Sequence, residues 1–345
     1  MRRVAKGAGP GARRYARALC LLALGACDGA QSALDSGGPA AARIEAVWWV
    51  LAAGAAGIFV LVGALFFLAV ARSRGVRPAD PRSRHGTDEG GARAARWILL
   101  GAAATALIVV VLFVYALRET AALDPRREPA DIVIAVDGRR WWWDVAYLDG
   151  GDTIARTANE IHVPVGARVE LRLTSADVIH SFWVPGLAGK MDMIPGRANV
   201  TWLRADRTGT FRGQCAEYCG LQHARMAFLV IATPRPEYDA WLARQRAEAP
   251  PPAGPEVSRG FEVFRSHCSR CHAVRGTPAV SRRGPDLTRL AGRRTLGAGT
   301  LANTPANLAG WVLDAQHAKP GSLMPPISLE PAELRDLLAY LATLR

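Results

Sequence analysis

Hydrophobic and polar positions divide the chain into segments of different pattern. Two runs without a charged residue stand in its N-terminal third, from Ala46 to Ala71 and from Trp97 to Leu117. Each run is long enough to cross the hydrocarbon core of a bilayer as a helix, since about 20 apolar residues suffice. Tryptophan and tyrosine residues lie near the ends of both runs, as at membrane interfaces. The pattern predicts a transmembrane helical hairpin over residues 46–117.

The loop between the two runs, residues 72–96, contains seven arginines and three acidic residues. Cytoplasmic loops are enriched in Lys and Arg, so we expect this loop in the cytoplasm and both chain termini on the outer side. The basic and then apolar residues 1–26 are typical of a signal peptide. They end beside Cys27 in a segment that resembles a bacterial lipoprotein cleavage box, which implies a lipid on this cysteine. Ordinary signal cleavage and an uncleaved leader are the alternatives.

Small and polar residues over 27–45 predict a flexible tether. Short apolar runs separated by Gly and Pro follow over residues 128–240. The stretches 131–136, 168–174 and 227–233 are strand-like, and the second alternates polar and apolar positions. Many short strands joined by such turns are typical of an all-β sandwich.

The C-terminal part of the chain has helical patterning. Residues 241–255 are rich in Pro and Ala and predict a semi-extended linker. Residues 256–345 predict a compact helical domain. Its last helix, over 331–344, has leucines along one side, and we expect it to pack against a helix over 257–268.

Charge argues against a nucleic-acid partner. The formal net charge is +13, but the excess is divided among the leader, the 72–96 loop and the last domain. Residues 256–345 carry +5, whereas residues 128–240 carry −2. Because no single basic stripe results, we exclude nucleic-acid binding. Nor does a general base, nucleophile or phosphate-binding loop stand out.

The densest group of metal-binding side chains lies in residues 213–226, which we call the copper loop. Cys215, Cys219, His223 and Met226 follow one another at Cys-x3-Cys-x3-His-x2-Met spacing. Thiolate, imidazole and thioether form a soft ligand set that suits copper better than zinc. The alternative is a Cys215–Cys219 disulfide beside an unrelated histidine and methionine.

Together with His180 in the segment 178–185, the copper loop resembles the CuA domain of cytochrome c oxidase subunit II. The resemblance implies a cupredoxin-like Greek-key fold and a binuclear copper centre, CuA, in which two cysteines bridge two copper ions. The ligands that it implies are His180, Cys215, Cys219, His223, Met226 and the main-chain carbonyl of Glu217.

The run Trp141-Trp142-Trp143 resembles the aromatic cluster of the same family. The resemblance implies that Trp141 admits electrons to the copper centre. We expect Trp142 and Trp143 to pack against the site and support it. The resemblance further implies that the Glu217 side chain binds a magnesium ion between subunits I and II. His162 lies outside these motifs, and we expect it to be structural.

A second cofactor motif, Cys268-x-x-Cys271-His272, is the c-type haem attachment pattern. Its two thiols would form thioethers to the haem, and His272 would be the proximal iron ligand. The segments at 284–287 and 324–326 resemble those of cytochrome c.

This resemblance implies an all-α class I cytochrome c domain in which the carbonyl of Pro285 orients the proximal histidine. It also implies that Met324 is the sixth iron ligand, and Met/His ligation raises the haem potential. His317 is a rival for the distal position. His267 lies too close to the attachment site.

The resemblance covers residues 44–345 and implies subunit II of a haem–copper oxidase of the bacterial inner membrane, with a fused cytochrome c domain. Electrons would pass from cytochrome c or another respiratory donor to haem c, then to CuA, and then to haem a of subunit I. Subunit I would reduce dioxygen and pump protons, and subunit III and membrane lipid would be further partners. The alternatives are the CuA subunit of a nitric oxide reductase, a copper-delivery protein without a redox role, and an assembly scaffold.

The opposite net charges of the two redox domains favour docking between them. A linker over 241–255 would keep the haem-carrying domain at a high effective concentration near its partner. We therefore expect a mobile domain that docks near Trp141 and responds to salt.

Overall fold

The computed structural model describes residues 29–73 and 88–345. The expected signal peptide, Cys27 and most of the 72–96 loop lie outside these residues, so their roles stay predictions. The chain separates into two compact units. One comprises residues 42–127, and the other comprises residues 128–345 together with the segment before residue 42.

The first unit contains two helices, α1 (Pro39–Ser73) and α2 (Asp88–Ala122). Both are long and apolar enough to cross a membrane. Their large apolar side chains are exposed, with Phe59 at 79%, as expected for surfaces that require lipid. An ion pair of 2.9 Å between Arg43 and Glu119 joins the start of α1 to the end of α2, so the helices are antiparallel. Each helix extends beyond the uncharged run that predicts it.

Residues 29–41 do not form the expected flexible tether, because they pack on the second unit. The N–H of Gly37 donates to the carbonyl of Gly186 at 2.6 Å. A Cβ at Gly38 would lie 2.0 Å from the carbonyl oxygen of Arg204. The small residues that predict flexibility are therefore the ones that allow the backbone to approach this closely.

Ten strands form a sandwich in the second unit. They are β1 (Ile132–Arg139), β2 (Trp142–Asp149), β3 (Asp152–Ala158), β4 (Glu160–Pro164), β5 (Val169–Ser175), β6 (His180–Trp183), β7 (Met191–Met193), β8 (Asn199–Leu203), β9 (Gly209–Cys215) and β10 (Ala227–Thr233). One sheet has the order β3-β2-β1-β5-β8, and the other has the order β4-β10-β9-β6-β7. Strand β1 is antiparallel to β2 but parallel to β5, so the chain crosses between sheets. The predicted cupredoxin-like sandwich is confirmed.

The core of the sandwich follows from strand alternation. Val169, Leu171 and Leu173 of β5 are buried, whereas Arg172 between them is exposed. This is the period of two that the sequence shows over 168–174. The apolar faces of both sheets meet in one cluster that also contains Trp143.

A helix that the sequence pattern did not reveal follows the sandwich. Helix α3 (Arg235–Arg246) covers residues that were expected to begin the linker. Trp241 of α3 stacks on the His162 ring at 4.1 Å and meets the Tyr147 ring at 5.2 Å. His162 is therefore structural, as expected. We call β1–β10 and α3 together the sandwich domain.

The rest of the expected linker is attached to the C-terminal domain rather than free. The Arg289 guanidinium is buried and donates to the C-terminal carbonyl of Arg345 (2.7 Å) and to three earlier main-chain carbonyls, those of Arg244 (2.7 Å), Ala247 (2.9 Å) and Glu248 (3.2 Å). The three earlier carbonyls lie at and just beyond the end of α3, where a helix leaves acceptors unpaired. The arginine therefore fixes the end of α3 to the C-terminal domain.

The C-terminal domain, residues 256–345, is mainly helical. Its helices are α4 (Pro255–His267), α5 (Pro305–Leu313), α6 (Ala315–Ala318) and α7 (Pro331–Thr343). It also has a short antiparallel pair, β11 (Thr295–Leu296) and β12 (Leu301–Ala302). The predicted helical cytochrome c fold is confirmed. The expected packing of the first helix on the last is confirmed. The Phe264 and Tyr340 rings lie 5.4 Å apart, and an ion pair of 2.6 Å joins Arg259 to Asp336.

We expect Gly260→Ala to destabilise the C-terminal domain by roughly 1–3 kcal/mol or more, as overpacking does. A Cβ there would lie 1.9 Å from the main-chain carbonyl oxygen of Asp336, so α4 and α7 would have to separate. Amide hydrogen exchange of α4 and α7 in the detergent-solubilised chain measures this effect.

The matched control is Gly310→Ala, which also adds a methyl group to a helix of this domain but meets nothing within 4 Å. It should be neutral or stabilising by up to about 1 kcal/mol. Equal exchange rates in the two variants would show that the α4–α7 contact does not limit stability.

Candidate metal centres

The copper loop connects two paired strands. Cys215 is the last residue of β9, and Met226 immediately precedes β10. The N–H of Cys215 donates to the carbonyl of Met226 at 2.9 Å, which closes the loop at its base. His180 is the first residue of β6, and β6 pairs with β9 through Phe182 and Cys215. The sheet therefore brings a distant histidine beside the loop.

The six predicted copper ligands lie close together. Cys215 Sγ is 3.7 Å from Cys219 Sγ, 3.8 Å from His180 Nδ1 and 3.1 Å from the Glu217 carbonyl oxygen. Cys219 Sγ is 3.6 Å from His223 Nδ1 and 3.8 Å from Met226 Sδ. Both cysteines are free thiols, so the disulfide alternative does not hold in this structure.

The donor set fits copper. His180, Cys215, Cys219 and Met226 are all buried, which protects soft ligands from water and from competing oxygen donors. The ligating atoms of His180, Cys215 and Cys219 all lie within 4.8 Å of one another. Two sulfurs, an imidazole nitrogen and a thioether are the donors that copper prefers.

Asp177, which sequence reasoning missed, orients His180. Its Oδ1 lies 2.9 Å from His180 Nε2 and accepts that proton, so Nδ1 faces Cys215. Burial acts to raise the pKa of Asp177, but hydrogen bonds from His180 and from two main-chain N–H groups outweigh it and lower the pKa to about 2. A Cβ at Gly138 would lie 2.9 Å from His180 Cδ2, so only glycine leaves room for the ring.

The two loop thiols share one proton. A hydrogen bond between the sulfurs, in which Cys219 keeps the proton, lowers the pKa of Cys215 to about 3. The same bond, together with burial, raises the pKa of Cys219. Cys215 is therefore the more readily deprotonated of the two thiols, and a metal that binds both sulfurs must displace the proton that they share.

Trp141 contacts the copper loop directly. Its Nε1–H donates to the main-chain carbonyl of Cys219 at 2.9 Å, and the side chain is only 8% exposed. Gly220, at φ +109°, lies under the indole ring, where a Cβ would come within 3.2 Å of Cζ2. The residue with the predicted electron-transfer role is thus joined to a predicted copper ligand by one hydrogen bond.

The other two tryptophans pack, as expected. Trp143 is fully buried, with its ring 6.2 Å from that of His180 and 5.0 Å from that of Phe228. The Arg139 guanidinium lies over the Trp142 ring at 5.5 Å.

The haem attachment motif begins where α4 ends. Here Nδ1–H of His272 donates to the carbonyl of Pro285 at 2.7 Å, because a carbonyl can only accept. This leaves Nε2 as the available metal ligand. Burial lowers the pKa of His272, against the effect of the Pro285 carbonyl, so the ring is neutral, as iron ligation requires. A Cβ at Gly284 would lie 2.6 Å from His272 Cε1.

The surroundings of the motif fit a haem. Cys268 and Cys271 are free thiols. Arg293 Nε is buried without a hydrogen-bond partner among the described residues, and its charge acts on His272, so it suits a carboxylate that a haem carries. Met324 lies in the loop between α6 and α7, where its carbonyl accepts from Gln316 Nε2 at 2.8 Å.

Two other predicted ligands have side chains that are exposed to solvent. The side chain of His317, the rival distal ligand, is exposed. The Glu217 side chain is also exposed, and its Oε1 accepts from the N–H of Tyr218 at 3.0 Å. Its role as a magnesium ligand stays a prediction.

Comparison with protein-family models gives two matches. The periplasmic domain of cytochrome C oxidase subunit II matches residues 148–233, and cytochrome c matches residues 257–345. The first match contains the copper loop and His180, and the second contains the haem attachment motif.

Individual relatives agree with the family models. Cytochrome c oxidase subunit 2 of Alkalihalophilus pseudofirmus is 36% identical over 324 residues, which cover 91% of each chain. The subunit 2 of Bacillus sp. (strain PS3) is 34% identical over 251 residues and 69% of each chain. The crystal structure of the periplasmic domain of subunit II from Bradyrhizobium japonicum is 35% identical, with a TM-score of 0.33, and covers 34% of this chain and 96% of that one.

The geometry and the two family matches agree on the class of site. His180, Cys215, Cys219 and Met226 form a CuA-type copper site, and the C-terminal domain is a cytochrome c domain. Two apolar helices and the match to a periplasmic domain make the chain a membrane protein with a periplasmic part. The chain belongs to the cytochrome c oxidase subunit II family, in the form that ends in a cytochrome c domain.

Proposed function

We propose that this chain takes electrons from a respiratory donor at its own haem c and passes them to CuA. From there they go to haem a of subunit I, which reduces dioxygen and pumps protons. The observation that carries the proposal is the hydrogen bond from Trp141 to the carbonyl of Cys219, because it couples an aromatic side chain to a copper ligand. The chain itself transfers electrons in this proposal, and oxygen is reduced in subunit I.

The copper ligands in this proposal are His180, Cys215, Cys219, His223, Met226 and the carbonyl of Glu217. When bound, the copper pair accepts and releases one electron. The chain holds the ligands fixed so that they move little during this change. Main-chain hydrogen bonds support that role, since Cys215 N–H donates to Met226 and Ala216 N–H donates to Ser181 at 3.0 Å.

The haem ligands are His272 and Met324, with thioethers at Cys268 and Cys271. A haem bound there would supply a one-electron donor. The hydrogen bond to Pro285 keeps the His272 ring oriented, and Gln316 holds the loop of Met324. Met/His ligation gives the haem a raised potential.

The complex lies in the bacterial inner membrane in this proposal, with the 72–96 loop in the cytoplasm and both redox domains outside. Subunits I and III, membrane lipid and an external electron donor are the partners, and Cys27 carries a lipid. The exposed carboxylate of Glu217 supports a magnesium site that faces subunit I.

Product assays of the purified complex test the function. With a reduced donor, the complex should consume oxygen, and Cys219→Ser should reduce this rate at least about 100-fold, because a serine hydroxyl replaces a thiolate that both copper ions need. The haem content of the variant should be unchanged. Consumption of nitric oxide in place of oxygen would support the nitric oxide reductase alternative instead.

The role of Met226 can be tested against a second buried methionine. Met226→Leu should retain copper but change its reduction potential and copper hyperfine pattern, because a weak thioether ligand is lost. Met193→Leu changes the same atoms in the core of the sandwich and should leave both unchanged, since this swap conserves volume. Identical potentials in the two variants would show that Met226 only packs.

The distal haem ligand can be identified in the same way. Met324→Ala should leave the haem covalently attached but remove the weak sulfur-to-iron band at the red end of the visible spectrum and lower the potential. His317→Ala should change neither. The reverse result would assign the distal position to His317.

A further inference from the structure

Lys319 lies at the boundary between the sandwich domain and the C-terminal domain. It follows α6 and is only 3% exposed. Its Nζ donates to three main-chain carbonyls, those of Trp141 (2.6 Å), Arg225 (2.8 Å) and Gly297 (2.9 Å). The first two acceptors belong to the sandwich domain and the third to the C-terminal domain. One ammonium group therefore joins both domains at the copper loop.

A lysine at this position is unusual for the chain. Of 43 basic residues only Lys6, Lys190 and Lys319 are lysines, and the others are arginines. An ammonium group directs three donors from a single atom, which matches three carbonyls that converge on one point. A guanidinium spreads its donors over a planar fork and cannot do this. A buried charge without such partners would be costly.

Further contacts place the same part of the C-terminal domain on the copper loop. Gln222 Nε2 donates to the carbonyl of Pro320 at 2.7 Å, and the Arg225 guanidinium donates to the carbonyl of Ala318. A Cβ at Gly321 would lie 2.9 Å from Leu221 Cδ2. The segment 318–321 therefore fits closely against the loop that carries the copper ligands.

A second group of contacts lies beside the first. The N–H of Ala227 donates to the carbonyl of Ala298 at 3.0 Å. The buried Glu160 carboxylate accepts from the N–H groups of Arg294 (2.5 Å) and Thr295 (3.3 Å). Each of these contacts, like those of Lys319, has a main-chain group as one partner. Such contacts define one register and are screened by salt far less than exposed ion pairs.

The position of Lys319 connects the two centres. Its Nζ binds the carbonyl of Trp141, and the indole of Trp141 binds the carbonyl of Cys219. Five residues after Lys319, Met324 stands in the loop assigned to the haem. Lys319 thus links the haem-side loop, the tryptophan and the copper loop.

We propose that Lys319 is a positioning residue for electron transfer within the chain: it holds the C-terminal domain on Trp141 and the copper loop in one fixed register. The electron step rests on the proposed function. In that step one electron leaves the ferrous haem iron and reduces the copper pair by one electron. No bond forms or breaks in this step.

The test uses the full complex and two matched variants. Lys319→Met removes the three donors but keeps a side chain of similar length. Lys190→Met makes the same change at an exposed lysine of the sandwich domain. Lys319→Gln is the milder variant, to be used if Lys319→Met does not accumulate with both cofactors.

The rate of haem-to-copper transfer is measured after flash reduction of the haem, at low and high salt. In the unchanged chain this rate should not depend on salt. In Lys319→Met it should fall at least about tenfold and become salt-dependent, because docking becomes transient once the donors to three carbonyls are gone. Both reduction potentials and both spectra should stay the same, and Lys190→Met should behave as the unchanged chain.

Amide hydrogen exchange gives a readout that does not require electron transfer. The N–H groups of Ala227 and Thr295 are interdomain donors, so Lys319→Met should accelerate their exchange while leaving the N–H of Cys215 protected. If the unchanged chain transfers no electron, the proposed function fails, yet exchange still decides whether Lys319 holds the domains. An unchanged rate and unchanged exchange in Lys319→Met, or equal losses in Lys190→Met, would overturn the proposal.

Discussion

The hydrogen-bonded ladder that joins β6, β9 and β10 is the constraint on which both the site and the interface depend. It places His180 beside Cys215, and the bond from Cys215 N–H to the Met226 carbonyl fixes the two ends of the copper loop. Because the ends are fixed, the loop between them can turn its sulfurs and the Glu217 carbonyl inward and two other main-chain carbonyls outward. Those carbonyls, at Cys219 and Arg225, are then available to Trp141 and to Lys319. The pairing of these three strands therefore positions the metal ligands and also the carbonyls that bind Trp141 and Lys319.

Much of the site could be predicted from the sequence because its ligands lie close together in the chain. Cysteine, histidine and methionine at this short spacing have few roles other than metal binding. The alternation along β5 likewise defines the buried face of a strand without any knowledge of the partner strand. Asp177 could not be found this way, since an acidic residue three positions before a histidine is common. Helix α3 was missed because its apolar positions, such as Trp241, are few and lie among charged residues. Contacts between Trp241 and the sheet contribute to the stability of that helix.

Net charge was a poor guide to how the two redox domains meet. The opposite charges of the domains predict a salt-sensitive encounter, but the contacts of Lys319, Glu160 and Ala227 use main-chain groups. Such groups are the same in every sequence, so composition carries no sign of them. Gly37 and Gly38 are a second example. The composition of their segment predicts flexibility, but in the structure these glycines allow close packing. What sequence reasoning lacked in both cases was the position of the backbone of a distant segment.

The short distance between Cys215 and Cys219 has a consequence for the assembly of the protein. Their sulfurs lie 3.7 Å apart, and a disulfide, at about 2.05 Å, needs only a modest approach. The hydrogen bond between them lowers the pKa of Cys215, and the thiolate is the reactive form in oxidation. The periplasm is a compartment in which disulfides form and persist. Copper and oxidants therefore compete for the same pair of sulfurs, so a newly exported chain must receive its metal while both are reduced, or be reduced again first.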